Sequence, residues 1–403
     1  MSRARETMRT TAQIVRGYAG PALFSFGFRP FFLLAGGFAA LAVALWIGAL
    51  LGVDGGLLAE AATRDWHVHE MLFGYTAAVI VGYMVIAGAN WTGHYPVAGA
   101  PVMALAALWL AGRVAMLWPG HGAAMIVESA FLPLFAAALW REQIAARNGR
   151  NLVPCLVVTL LGAANIAFHL RFAVPGLGPA AERLALGLIA LLIVVLGGRL
   201  VPSFTQNWLA RHDGGRPPAP YDRLDLSAAL LVTAALALWQ GLPEAPLTGL
   251  ALALAGGATL LRLSRWRGWA GWREPLLWSL HLGYLWLGVG LLLLGGAIAL
   301  PAHVPVSSAI HALSAGGIGM MTLTMMMRTT LSHTGRPRRT GAGTLAALLM
   351  VTGAALARVV APFMPAAMVP LLALSALLWS GAFLLFTLLY GPLLVRRRVG
   401  RGP

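Results

Sequence analysis

The sequence predicts an all-α polytopic integral membrane protein of about twelve transmembrane helices with both termini cytoplasmic. Three observations predict it. Of the 403 residues, 59% are hydrophobic and only 10% charged, against roughly half and a quarter in an ordinary soluble domain. The apolar residues fall in runs of about 20, the length that crosses a hydrocarbon core, separated by short polar breaks. Arginine crowds every second break, as the positive-inside rule requires of cytoplasmic connections.

The spans follow in order as 30–53, 66–91, 98–118, 121–140, 150–173, 180–203, 224–242, 246–263, 275–298, 305–331, 341–361 and 366–394. Five arginines through Arg29 precede the first, which is expected to stay as a helix because no small-residue cleavage site follows it. Three arginines, Arg141 to Arg150, separate the fourth and fifth spans, and three, Arg211 to Arg223, the sixth and seventh. Four, Arg262 to Arg273, lie between the eighth and ninth, and four, Arg328 to Arg339, between the tenth and eleventh. Four more, Arg396 to Arg401, follow the last. The opposite flanks hold only Arg64, Arg171, Arg183 and Arg358, while Arg113 and Arg199 fall within spans. A miscount by one span would scramble this alternation.

The whole chain, 1–403, is read as one membrane domain, since no soluble domain fits in the connections. The longest inner one, 206–222, divides it into six spans and six, although no repeat between the halves is visible. The 48 glycines favour close helix packing in lipid. A net charge of +16 in a soluble protein would suggest nucleic acid. Here 23 of the 29 basic residues, all arginine, sit on inner flanks, where they set topology against the lipid bilayer, and no nucleic-acid partner is expected. The single cysteine, Cys155, excludes an intrachain disulfide and thiolate-rich metal sites. No Walker loop, dinucleotide fingerprint or HExxH is present, which argues against an ATP-driven pump or a soluble-type hydrolase.

Ionisable groups at membrane depth are costly and therefore mark candidate sites. The densest stretch is Trp66-His67-Val68-His69-Glu70. At about 100° per residue, His67 and Glu70 share a helix face, while His69 is turned about 200° from His67. An outer set comprises His67, His69, Glu70, His169, His303 and His311; an inner set comprises His94, His281 and His333. Counting about 1.5 Å per residue, His281 and His311 lie roughly 9 Å in from opposite ends of their spans, too far apart in depth to share one iron. If both are ligands, two sites follow. The plainer reading of each histidine, a hydrogen-bonded group at a helix end, stays open. Span ten also carries Met320, Met321, Met325, Met326 and Met327, which serve either as soft ligands for Cu(I) or as packing. Glu128 and Arg113, at depth in neighbouring spans, would pair with each other or serve a bound propionate.

Four stretches together resemble the NnrS family of haem- and copper-containing bacterial membrane proteins associated with nitric oxide metabolism. They are FGFRPFF from Phe26, WHVHEMLFGYTAAVIVGYMVIAGANWTG from Trp66, GGRLVPSFTQN from Gly197, and HALSAGGIGMMTLTMMMRTTLSHTGRP from His311. HLGYLWLGVGLLL from His281 is similar too. The resemblance implies a multi-pass protein of the bacterial inner membrane that holds haem b and copper, supports tolerance of nitric oxide and accompanies denitrification. The motif histidines carried over are His67, His69, His281, His311 and His333. Haem propionates need cationic partners, for which Arg29, Arg199 and Arg328 are candidates. Glu70 would orient a ligand imidazole or transfer protons.

On this reading His69 and His311 hold an outer haem, His281, alone or with His94, a second inner site, and His67 with Glu70 copper. Nitric oxide would be ligand or substrate, with electrons from quinol or a redox partner if the protein is an oxidoreductase. The rival is a secondary transporter for a metal, haem or small anion, in which the histidines would bind the transported ion or relay protons.

Overall fold

A computed structural model describes residues 17–52, 63–92, 98–117, 122–147, 151–212, 215–337 and 340–399, with 90–92 by backbone alone. The described residues form helices and no strand. In order they are α1 (Phe28–Leu50), α2 (Arg64–Ala89), α3 (Ala100–Ala115), α4 (Gly122–Ala145), α5 (Leu152–Phe172) and α6 (Leu177–Leu209). Then come α7 (Arg223–Gly241), α8 (Pro246–Ser264), α9 (Pro275–Ala299), α10 (Val306–His333), α11 (Ala342–Phe363) and α12 (Pro365–Val395). Eleven are long and apolar enough to cross a membrane; α3, the third expected span, is shorter.

Contacts place the two ends of α3 on opposite faces of the bundle. Arg29 at the start of α1 donates through Nη1 to the carbonyls of Leu394 and Arg396 at 2.9 and 2.7 Å, so α1 begins where α12 ends. Ends on one face require an even number of crossings. The amide of Gly99 bonds the carbonyl of Phe24 at 2.9 Å, placing the start of α3 on that same face. Near its other end Arg113 meets Glu70, early in α2, on the far face. The 16 residues of α3 rise about 24 Å.

Local sequence explains the helix starts. Thr63 caps α2 by accepting the amide of Trp66 at 3.2 Å. Asp222 and Asp225 form a reciprocal capping box on α7. Proline opens α8 and α9, where its missing N–H costs nothing. Glycines set the closest packing: a Cβ on Gly256 would lie 2.8 Å from the carbonyl oxygen of Gly288, so α8 and α9 touch backbone to backbone.

α2 is the most enclosed span, with 83% of its apolar window buried. Among the described residues three helices widen into π-helical turns, at Glu70–Thr76 in α2, Ile193–Gly197 in α6 and Ala312–Ile318 in α10. Such turns shift register and recur at functional sites. In α6 the displaced carbonyls of Val194 and Gly198 accept from Arg262 of α8, whose guanidinium also bonds Asp225 at 2.7 Å and the Tyr284 hydroxyl at 2.9 Å. This buried arginine ties α6, α7, α8 and α9 together. A Cβ on Gly198 would collide with it.

Candidate functional site

At the far end of the bundle a polar network is sealed inside α2, α3, α4 and α5. Glu70, His69, Arg113, Glu128, Asn165 and His169 are all buried, none more than 8% exposed. Arg113 Nη1 donates to both carboxylate oxygens of Glu70 at 2.7 Å, and Nη2 to Glu128 Oε1 at 2.6 Å. Glu128 Oε2 accepts from Asn165 Nδ2 and His169 Nε2, each at 2.8 Å. His69 lies between the carboxylates, with Nδ1 2.8 Å from Glu70 Oε1, and Nε2 3.1 Å from Asn165 Oδ1 and 3.3 Å from Glu128 Oε2.

Two carboxylates thus face one guanidinium. A proton, on His69 or on one of the carboxylates, or a metal cation would balance the remaining charge. His69, Glu128 and His169 offer ligand atoms within 4.8 Å of one another. The Glu70 carboxylate behind His69 Nδ1 is the support that metal-binding imidazoles commonly have. The backbone makes room for the arginine at Gly74, where a Cβ would strike the Arg113 guanidinium and Trp109 Nε1 bonds the carbonyl at 3.0 Å.

A second feature lies beside it. A cavity of about 100 Å³ opens among α1, α2, α10, α11 and α12, lined by His67, His311, Arg358, Trp46, Ser314 and Ser375 with mostly apolar neighbours. His67 stacks on Trp46 with ring centres 4.1 Å apart, and its buried Nδ1 has no hydrogen-bond partner. His311 donates Nδ1–H to the Ser307 carbonyl at 2.7 Å, which leaves the Nε2 lone pair free of that bond. Arg358 Nη2 donates to Ser307 Oγ at 3.0 Å, and its buried Nη1 has no hydrogen-bond partner.

The structure therefore regroups the predicted residues. Glu70, expected beside His67 on the helix face, turns instead to its neighbour His69, because Arg113 holds it there and the helix widens into a π turn at that residue. His69 and His311, expected together, lie in different environments: His69 in the sealed network, and His311 with His67 at the cavity. The pairing of Arg113 with Glu128, one of two readings of the sequence, is present.

Toward the face that holds the start of α1 and the end of α12, His281 lines a separate cavity of about 340 Å³ with Trp269, Trp272 and Trp278. Its Nδ1 donates to the Leu277 carbonyl at 3.1 Å, and Nε2 lies 3.2 Å from Thr205 Oγ. His94, its expected companion, falls outside the described residues. His333 packs against the rings of Phe26 and Phe28, 5.5 Å centre to centre. Of the three arginines proposed for propionates, Arg29 clasps the end of α12, Arg328 donates to the Leu276 carbonyl at 3.0 Å and covers the Phe204 ring, and Arg199 is exposed. None of the three lines the His67–His311 cavity; Arg358 does.

Sequence reading missed Asn165 and the place of Arg358. Asn165 and His169 stand four apart on α5, one above the other, and that spacing was the available signal. Arg358 resembled an ordinary flanking charge because only folding turns it into the cavity.

Fold and site together define a polytopic helical membrane protein with titratable side chains enclosed at one end of its bundle. Residues 22–398 match the NnrS protein family, and the chain belongs to it. No curated protein matches the chain.

Proposed function

We propose that this NnrS-family protein is a haem- and copper-binding protein of the bacterial inner membrane that binds or turns over nitric oxide, protecting against nitrosative stress and linked to denitrification. One observation carries the reading: two imidazoles from distant spans, His67 and His311, line one cavity together with the Arg358 guanidinium. Neutral imidazole is the usual axial donor to haem iron, and a guanidinium suits a propionate. The donors fit, since His67 Nδ1 and Arg358 Nη1 are buried without hydrogen-bond partners. The enclosed space of about 100 Å³ is smaller than cofactor pockets of roughly 300 Å³ upward, so a haem ring bound here would need the surrounding helices to part.

Haem iron, when bound, supplies a coordination position for nitric oxide. The chain's own residues orient and enclose it: Ser307 fixes the His311 tautomer, Trp46 holds the plane of His67, and Arg358 supplies charge. The cluster of His69, Glu128 and His169, with Glu70 behind His69, is the favoured place for copper. His281, in its tryptophan-lined cavity, is the candidate for a second haem. The shared face of the start of α1 and the end of α12, together with the arginine alternation, supports termini in the cytoplasm.

Purified protein tests this directly. Near-stoichiometric haem with a dithionite-sensitive Soret band, plus copper by elemental analysis, is the expected result. A folded, colourless, metal-free preparation would overturn it in favour of the secondary transporter.

A further inference from the structure

A third cavity, also about 100 Å³, lies deeper in the bundle among α2, α6, α9 and α10. It shares two wall residues, Thr76 and Ile318, with the His67–His311 cavity. Between the two spaces the Tyr75 hydroxyl bonds Thr322 Oγ at 2.5 Å. Thr322 already donates to the Ile318 carbonyl at 2.6 Å, so Tyr75 is the donor and its one hydroxyl proton is used. Thr76 likewise donates to the Met71 carbonyl at 2.7 Å. The hydroxyl protons of Tyr75, Thr76 and Thr322 are thus turned to partners, and the deeper space is bounded chiefly by Val, Ile, Leu and Met side chains.

Thr76 and Ile318 are the last residues of the π turns in α2 and α10. Reversion of either turn to α-helix shifts register by one residue, which would swing that wall residue aside. Around the deeper cavity Tyr83, Leu196, Leu200 and Met325 are half-buried, so it reaches the outer surface of the bundle at membrane depth. Met84, Met321 and Met325 give it a flexible, polarisable lining.

We propose that the two cavities form one path for small apolar molecules from the hydrocarbon layer to the His67–His311 cavity, with Thr76 and Ile318 as its movable partition. Dry apolar cavities of this size bind small apolar guests such as xenon. If the proposed function holds, the guest is nitric oxide; the path itself depends on no metal.

Xenon is the probe. Crystals of the full-length protein under xenon pressure should show xenon on both sides of Ile318, and xenon-129 resonance in detergent should show exchange between the two environments. Ile318→Trp should block that exchange at least tenfold. Ile318→Ala should merge the cavities and raise occupancy, which keeps the test valid if the tryptophan variant fails to fold. Xenon absent from the deeper cavity, or exchange unchanged in Ile318→Ala, overturns the proposal. Neither result touches haem or copper content, and a haem-free preparation that still takes up xenon leaves the path standing while defeating the functional reading.

Discussion

Arg113 reaches both oxygens of Glu70 at 2.7 Å from a single guanidinium nitrogen, and through its other terminal nitrogen holds Glu128. One residue of the shortest span thereby fixes the charge arrangement of α2 and α4 around His69. Arg113→Ala would strand two carboxylates where water is excluded, and breaking such a buried arrangement costs about 3–5 kcal/mol. Thermal unfolding in detergent should fall steeply for Arg113→Ala and partly recover when Glu70→Gln is added. Equal stability of the Arg113 variant and the parent would refute the role assigned to it.

If His67 and His311 serve one centre, His67→Ala and His311→Ala should alter the same spectral component. His281→Ala should alter a different one, since its cavity is separate. Reduced-minus-oxidised spectra of the three variants make the comparison. Loss of a single shared signal in all three would leave no room for two centres.

Copper at the sealed cluster predicts that Glu128→Gln and His169→Ala each lower bound metal by about one equivalent, with His67→Ala leaving that equivalent in place. Elemental analysis of folded, monodisperse protein measures it. Unchanged metal content in both cluster variants would refute copper at this cluster.

The clasp of Arg29 on the carbonyls of Leu394 and Arg396 closes the chain on itself. Hydrogen bonds from a charged group contribute about 1.5–3 kcal/mol. Arg29→Gln should therefore release the end of α12 first, seen as faster amide exchange over residues 390–396 while α8 and α9 keep their protection. Uniform exchange across all helices would argue against a local clasp.

Outside the membrane, Arg265 hydrogen-bonds Asp222 and holds its carboxyl below the usual carboxylate range. A depressed folded value means that the cap contributes above the unfolded value and is lost as pH falls through the folded one. The amides of Leu224 and Asp225, which donate to Asp222, should lose their protection relative to the free-chain exchange rate as the pH falls, and Asp222→Ala should show that loss at neutral pH already.

Composition, apolar runs and charge placement alone establish an all-helical multi-pass membrane fold and mark the residues worth suspecting. Runs of apolar residues and alternating arginine clusters are local signals, and a charge in lipid is costly wherever the helix sits. The sequence carried less about partnership. A regular helix placed Glu70 with His67, yet a π turn and an arginine from another span gave it to His69. Nothing local marked Asn165 as a neighbour of His69, or turned Arg358 into a cavity with His67 and His311. Those groupings depend on which helices pack together and on their rotation about their axes. Lipid, equally apolar on every side, does not dictate them; small-residue contacts and buried hydrogen bonds do.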